Sequence, residues 1–446
     1  MAILAPVRGL VYNPEVVPNL ADVVTPPYDV ISPTQQEDFY ARHPYNMVRL
    51  ILPRKEPRGD DIPDRYARAA ADFARWRRES VLVRDPAPAL HYWETDFSLA
   101  GQTVTRRGLV GLLRLEPFES GSVRPHEKTF SAHKNDRFQL ITHCLAQFST
   151  IFALYPDQPD QVLSLLRQGI AAPPEIDFAD YDGQRHRSFR VTDPGVLRAV
   201  SQAMQSLPIF IADGHHRYET SLAVQGWLQQ QYPQASPRAT FNYVLMYLSN
   251  MSDPGLVVLP AHRLLNTSSL TGFSEAALYN RLPEFFDLER IDCAGDCAGS
   301  IAAALSRGGE QGTALVVANS RREATLLRLK PGVMTSSLAA HLPAALAGLD
   351  VIVLNFLIFE KIIQLTQPQQ DDPAVFHYDS TIPGALQALE EGKVQLAFLL
   401  NPTKIEQVQA VANAGLIMPR KSTYFYPKVI AGLVMSPIDP GEEVPF

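Results

Sequence analysis

The chain has 446 residues, 46% of them hydrophobic and 20% charged, the balance of a soluble globular protein with two or three domains. A formal charge of −7 gives no global basic field, so no nucleic-acid partner is expected, and Met1–Leu20 lacks the basic flank and apolar core of a secretory signal. Three scattered cysteines, Cys144, Cys293 and Cys297, exclude a disulfide framework and a four-ligand zinc site, and make the reduced cytoplasm the simplest location.

The 36 prolines cut the chain into short elements, beginning with a turn-rich stretch from Pro18 to Pro53. Within it Pro26-Pro27-Tyr28-Asp29 reads as turn structure and Tyr45–Leu50 as a strand whose one candidate for chemistry is Arg49. Asp60–Arg78 has helical spacing at Tyr66, Ala70 and Phe73, and two β-rich runs flank Ala100-Gly101-Gln102 as a hairpin. Gly121–Asp136 is polar and irregular. A helix over Arg137–Gln147, a strand over Ser149–Leu154 and a strand-to-helix passage over Val191–Leu207 follow.

Ile209-Phe210-Ile211-Ala212 then stops at Asp213-Gly214, and a helical pattern runs on to about Gln231. Strands are predicted at Asn242–Leu248 and Leu256–Leu259. Phe273–Gly312 reads as two helices around a strand at Phe286–Ile291, and Ala314–Ala318 with Ala324–Leu329 as a hairpin. The tail offers a long helix near Ala347–Gln364 and a buried strand at Val394–Leu400. The most apolar stretch, Ala344–Leu365, carries Asp350, Asn355, Glu360 and Lys361, which argues against a membrane span. Three regions result: an α/β domain over 1–265, a small α+β module over 266–335 and an α/β region over 336–446.

Three polar clusters could carry chemistry. At Asp213-Gly214-His215-His216-Arg217 a carboxylate, two imidazoles and a guanidinium meet a strand end and a helix start. Gly214 permits positive φ, and helix-start amides attract anions, so the cluster points to phosphate. A simple Asp-Gly turn or an Asp helix cap would account for part of the same pattern. His126-Glu127-Lys128-Thr129, with His133, Lys134 and Arg137 beyond it, offers cations for phosphate oxygens and a carboxylate; with Phe130 four residues after His126, it is not a zincin motif. Met418–Lys428 sets basic residues, hydroxyls and aromatics between prolines, suited to holding an anion or simply to packing as a strand. No Walker A loop, dinucleotide fingerprint or nucleophile elbow is present.

Pro26–Ile31, Tyr45–Leu50, His126–Thr129, Asp213–Thr220, Leu259–Leu264 and Met418–Lys428 together resemble the bacterial and archaeal family known as domain of unknown function 1015. The Asp-Gly-His-His-Arg core is also similar to the ParB-like superfamily, which includes nucleotide-binding segregation proteins and kinases of free serine. The resemblance implies a ParB-like mixed α/β N-terminal domain with an additional α+β C-terminal module. It implies a phosphotransferase acting on the hydroxyl of a small molecule, best free L-serine, with Mg²⁺ and with ATP, ADP or pyrophosphate as donor. On that reading Glu127 is the general base, alone or with Asp213, or Asp213 holds Mg²⁺. Lys128, Gly214, His215, His216 and Arg217 bind phosphate or nucleotide, joined by Arg137, Lys421 and Lys428, while His126, Thr129 and Arg263 contact substrate. One departure stands out: Ala261 precedes His262-Arg263 where a threonine is expected. The alternatives are a ParB-like nucleotide-binding regulator and a metal-dependent phosphodiesterase with His126, Asp213, His215 and His216 as ligands. The oligomeric state is left open.

Overall fold

The computed structural model describes residues 1–55, 64–127, 131–336 and 338–445. The chain is a mixed α/β protein that divides into two compact units. One comprises Met1–Pro125, Thr129–Val257 and Pro427–Phe446; the other comprises His126–Lys128 and Val258–Tyr426.

A nine-stranded mixed sheet forms the first unit. Its strands run in the order Val123–Arg124, Ile209–Asp213, Ile151–Tyr155, Tyr243–Asn250, Gln102–Arg114, Leu90–Leu99, Arg185–Val191 and Ile176–Ala179, with Leu4–Ala5 paired to Gln102–Arg114. Ile209–Asp213 runs parallel to Val123–Arg124, and Tyr243–Asn250 parallel to Ile151–Tyr155; the remaining pairs are antiparallel. Strands with both faces covered need continuous apolar runs, and Ile151–Tyr155 and Tyr243–Asn250 are buried throughout. The helix Pro194–Met204 starts where Asp193 accepts the Val196 amide and Pro194 pre-sets the first turn. The hairpin expected at 100–102 is present, with Ala100 at φ 49° and Gly101 at φ 77°, the left-handed pair a tight two-residue turn requires.

The second unit holds a six-stranded antiparallel sheet: Phe286–Ile291, Ala324–Leu329, Ala314–Asn319, Leu396–Leu400, His262–Leu265 and Phe376–Asp379. One face packs on Leu354–Ile362, through Leu357 and Phe359 against Phe398; the other carries Cys297–Gln311 and Ile382–Glu390.

Several expectations need correction. The boundaries at 265 and 335 do not match these units, because strands from 262–329 and 376–400 share one sheet and residues from Pro427 onward return to the first unit. Tyr45–Leu50 is not a strand: Val48–Ile51 forms a short helix, with the buried Asn46 side chain accepting the Val48 amide. The turn-rich start also contains a ten-residue helix, Pro33–Arg42, closed by a reciprocal Ser32–Gln35 capping box. The long helix near 347–364 is broken into Ala344–Ala347, Asp350–Val353 and a wider-wound Leu354–Ile362. Cys293 and Cys297 are joined by a disulfide, while Cys144 is buried and free. Among the described residues, no helix is long and apolar enough to cross a membrane.

Candidate functional site

The strand Ile209–Asp213 ends in a register shift between Ile211 and Asp213, and Gly214 at φ 96° turns the chain directly into the 17-residue helix His215–Gln231. Only glycine is comfortable there. A methyl group on Gly214 would sit 2.8 Å from the Arg217 guanidinium, besides imposing left-handed strain. Gly214 has no side chain with which to cap this helix start, and the positive end of the helix dipole lies at the turn.

Asp213 is the electrostatic centre of the first unit's cluster. Arg217 Nη2 donates to Asp213 Oδ2 at 2.6 Å, and the Lys428 ammonium donates to Oδ1. Arg217 is anchored from behind as well, Nη1 donating to the Thr150 carbonyl and, at 3.4 Å, to Ser149 Oγ. Burial alone would raise the Asp213 carboxyl, but the Lys428 and Arg217 charges outweigh it and hold it well below the ordinary carboxylate range, with His215 acting in the same direction. His215 is buried and His216 is half-buried on the first turn of the helix. Two cations thus meet on one carboxylate at a helix N-terminus, an arrangement able to receive an oxyanion.

Arg137 also lies in this unit, but its guanidinium is already engaged. It donates to Asp136 Oδ2 at 2.8 Å and to the Ile51 carbonyl at 2.6 Å, and stacks 3.9 Å over the Tyr28 ring. The stack ties Tyr28, read from sequence as turn structure, to a residue expected to bind phosphate. Burial, with Asp29 adding to it, pushes the Tyr28 hydroxyl up to about 12.

The second unit gathers the other candidates. Met418 N–H donates to the His126 carbonyl at 2.8 Å, and Lys421 N–H donates to Glu127 Oε1 at 3.0 Å. His126 Nε2 lies 3.3 Å from Thr423 Oγ1. Arg263 is buried and donates to the carbonyls of Lys421 (2.9 Å), Arg420 (3.0 Å) and Ala261. Lys421 itself sits at φ 52°, its ammonium 5.4 Å from the centre of the Tyr378 ring. Glu127 and the Met418–Thr423 segment, far apart in sequence, therefore form one local structure around Lys421. Lys128 and Thr129 lie outside the described residues. Lys428 was grouped with Lys421 by sequence, yet belongs with Asp213.

Sequence reasoning passed over Ser149 and Thr150, which fix Arg217 in place. The available signal was a pair of hydroxyl residues immediately before an apolar strand.

The Mg²⁺ expected from sequence does not fit Asp213 in this arrangement. Both carboxylate oxygens are occupied by cations, whose charge would oppose a dication beside them. Among the described residues, no group of three His, Cys, Asp or Glu side chains is placed to hold a metal.

The fold and this turn define a mixed α/β protein with a cation pair gathered at a strand–glycine–helix junction. The chain belongs to the family described as protein of unknown function (DUF1015), whose model matches residues 4–352. No curated protein matches it. Among solved structures it is similar to a free serine kinase in complex with AMP (TM-score 0.33, 11% identity, covering 68% of this chain and 83% of that one). It is similar to SbnI with a C-terminal truncation from Staphylococcus aureus (TM-score 0.33, 9% identity, 71% and 84% covered). A conserved hypothetical protein from Pyrococcus furiosus gives a TM-score of 0.31 at 12% identity, with 69% and 89% covered. At such distances residue roles have to come from this chain's own site.

Proposed function

We propose that the chain is a phosphotransferase that moves a phosphoryl group from a nucleotide or pyrophosphate to the hydroxyl of a small metabolite. The observation that carries the reading is the Asp213–Arg217–Lys428 cluster at the start of His215–Gln231. Phosphoryl transfer depends on positioning and charge neutralisation. Here Arg217 is fixed by Asp213 and the Thr150 carbonyl, so little ordering is left to complete when a phosphate arrives. Gly214, His215 and His216 complete the binding turn in this proposal.

Asp213 is poorly suited to proton abstraction, because a carboxylate held well below its ordinary range is a weak base near neutrality. Its proposed part is to orient the two cations. Glu127 is the general base that the sequence resemblance implies. Free L-serine is the acceptor that the sequence resemblance implies, and no step is routed through a metal ion bound by Asp213.

Purified protein incubated with serine, Mg²⁺ and, separately, ATP, ADP or pyrophosphate should yield phosphoserine with one donor. Absence of product with all three removes serine phosphorylation.

A further inference from the structure

We infer that the first unit carries a second anion site, distinct from the Asp213 turn, built around Arg106 and sized for a halide ion or a single carboxylate group. Arg106 is 1% exposed, yet among the described residues its one hydrogen-bonded acceptor is the backbone carbonyl of Pro427, not a carboxylate. Its Nη1 donates to the Pro427 carbonyl at 2.5 Å, and its Nε has no hydrogen-bond partner. The Phe152 and Tyr247 rings lie 4.9 and 5.3 Å from the guanidinium carbon, which eases burial of the cation without neutralising it. Buried charges in folded proteins are otherwise paired, because an unpaired one is expensive to desolvate.

Arg106 faces a small cavity of ≈ 20 Å³, room for about one water-sized group. The sheet register explains the lining: Thr95 pairs with Arg106 on one neighbouring strand and with His186 on the next, so all three project from the same face. His186 Nε2 lies 3.0 Å from Asp180 Oδ2 and its Nδ1 lies 3.3 Å from Thr95 Oγ1. With Nε2 donating to Asp180, Nδ1 accepts the Thr95 hydroxyl proton, and Thr95 is satisfied. Thr150 is different: its buried hydroxyl has no partner among the described residues, and Thr150 lines the cavity. The Tyr247 hydroxyl, on another lining residue, is likewise buried without a partner, so among the described residues the free donors of the cavity lining are Arg106 Nε, Thr150 Oγ1 and Tyr247 Oη, one charged and two neutral.

The remaining walls are largely apolar, including Val110, Val429 and Leu433. A strongly hydrated phosphate dianion is too large and loses too much hydration there. A monovalent anion fits, either free halide or the carboxylate end of an organic molecule. Thr150 serves both sites, its hydroxyl here and its carbonyl toward Arg217, so Arg106→Met rather than Thr150→Val separates this site from the proposed phosphate turn.

The test is thermal unfolding of the full chain in chloride or formate at constant ionic strength, with sulfate as the balancing anion, followed by tryptophan fluorescence. All three tryptophans, Trp76, Trp93 and Trp227, lie in the first unit. A saturable rise in midpoint is expected for the wild type and is lost in Arg106→Met. Thr150→Val, which keeps the charge, should weaken the apparent affinity by roughly tenfold, as for losing one hydrogen bond to a charged group. A rise with both anions identifies a halide-type site; a rise with formate alone identifies a carboxylate site. No saturable rise in the wild type, or an equal rise in Arg106→Met, overturns the inference. If Arg106→Met does not fold, an unchanged affinity in Thr150→Val overturns it instead.

Discussion

Replacing Asp213 by asparagine removes a carboxylate shared by Arg217 and Lys428. The three side chains are 14%, 9% and 15% exposed respectively, so solvent screens the two contacts little. Asparagine keeps the shape and one acceptor oxygen but leaves two nearly buried cations side by side. Breaking a buried pair in this way costs about 3 kcal/mol. For a unit of this size that is a fall of roughly 6–12 °C in midpoint. Tryptophan fluorescence isolates the effect, since every tryptophan lies in the first unit. Pyrophosphate at millimolar concentration should restore part of the loss, and more in the variant than in the wild type, because its charge replaces the missing carboxylate without competition. The same reasoning gives a pH dependence. The Asp213 carboxyl is depressed in the fold, so its contribution is complete above the unfolded value near 3.9 and is lost as pH falls below it toward the lower folded value. The acid limb of the stability curve should therefore flatten in Asp213→Asn. An unchanged midpoint, or a variant that pyrophosphate stabilises no more than the wild type, refutes the charge argument.

Gly214→Ala should lose about 1–2 kcal/mol from the left-handed backbone alone, and more if the Arg217 guanidinium is displaced; a tryptophan-detected urea midpoint equal to wild type would contradict this. Glu127→Gln keeps an oxygen able to accept the Lys421 amide, so fold and substrate affinity should persist while turnover falls by at least about a hundredfold, as for loss of a general base; equal losses in kcat and in binding would point to a structural role. His262 is buried, accepts the Leu400 amide at 3.2 Å through Nδ1, and is held down to about 4 by desolvation. The unfolded chain therefore takes up a proton first as pH falls from about 6.5, and stability should drop by up to about 1.4 kcal/mol per pH unit until about pH 4. Far-UV circular dichroism of urea unfolding across that range checks it, and a His262→Asn variant with the same slope would be a contradiction.

Where local chemistry decides structure, the sequence was readable. The apolar Ile209–Ala212 run ending at Asp213-Gly214 gave strand, turn and helix, because glycine's freedom and the change of hydrophobic period are local signals. The Ala100-Gly101 hairpin was legible for the same reason. Pro33–Arg42 was missed although Ser32, Pro33 and Gln35 announce its start; the surrounding prolines outweighed that signal. Tyr45–Leu50 has strand-like composition, yet Asn46 satisfies the Val48 amide and commits the segment to helix. The shared second sheet depends on pairing between His262–Leu265 and Leu396–Leu400, more than a hundred residues apart, which no local pattern encodes. The partition of Met418–Lys428 was equally hidden: Lys421 stands by Glu127, Lys428 by Asp213.

The central claim is that Arg217 and Lys428 receive a phosphate at the Gly214 turn. Isothermal titration of pyrophosphate, ADP and ATP into wild type and Lys428→Met addresses it directly. We expect at least one of these ligands to bind the wild type with an affinity that falls as salt is raised, and to bind Lys428→Met about tenfold or more weakly. Absence of binding by all three, or equal affinities in the two proteins, would contradict it.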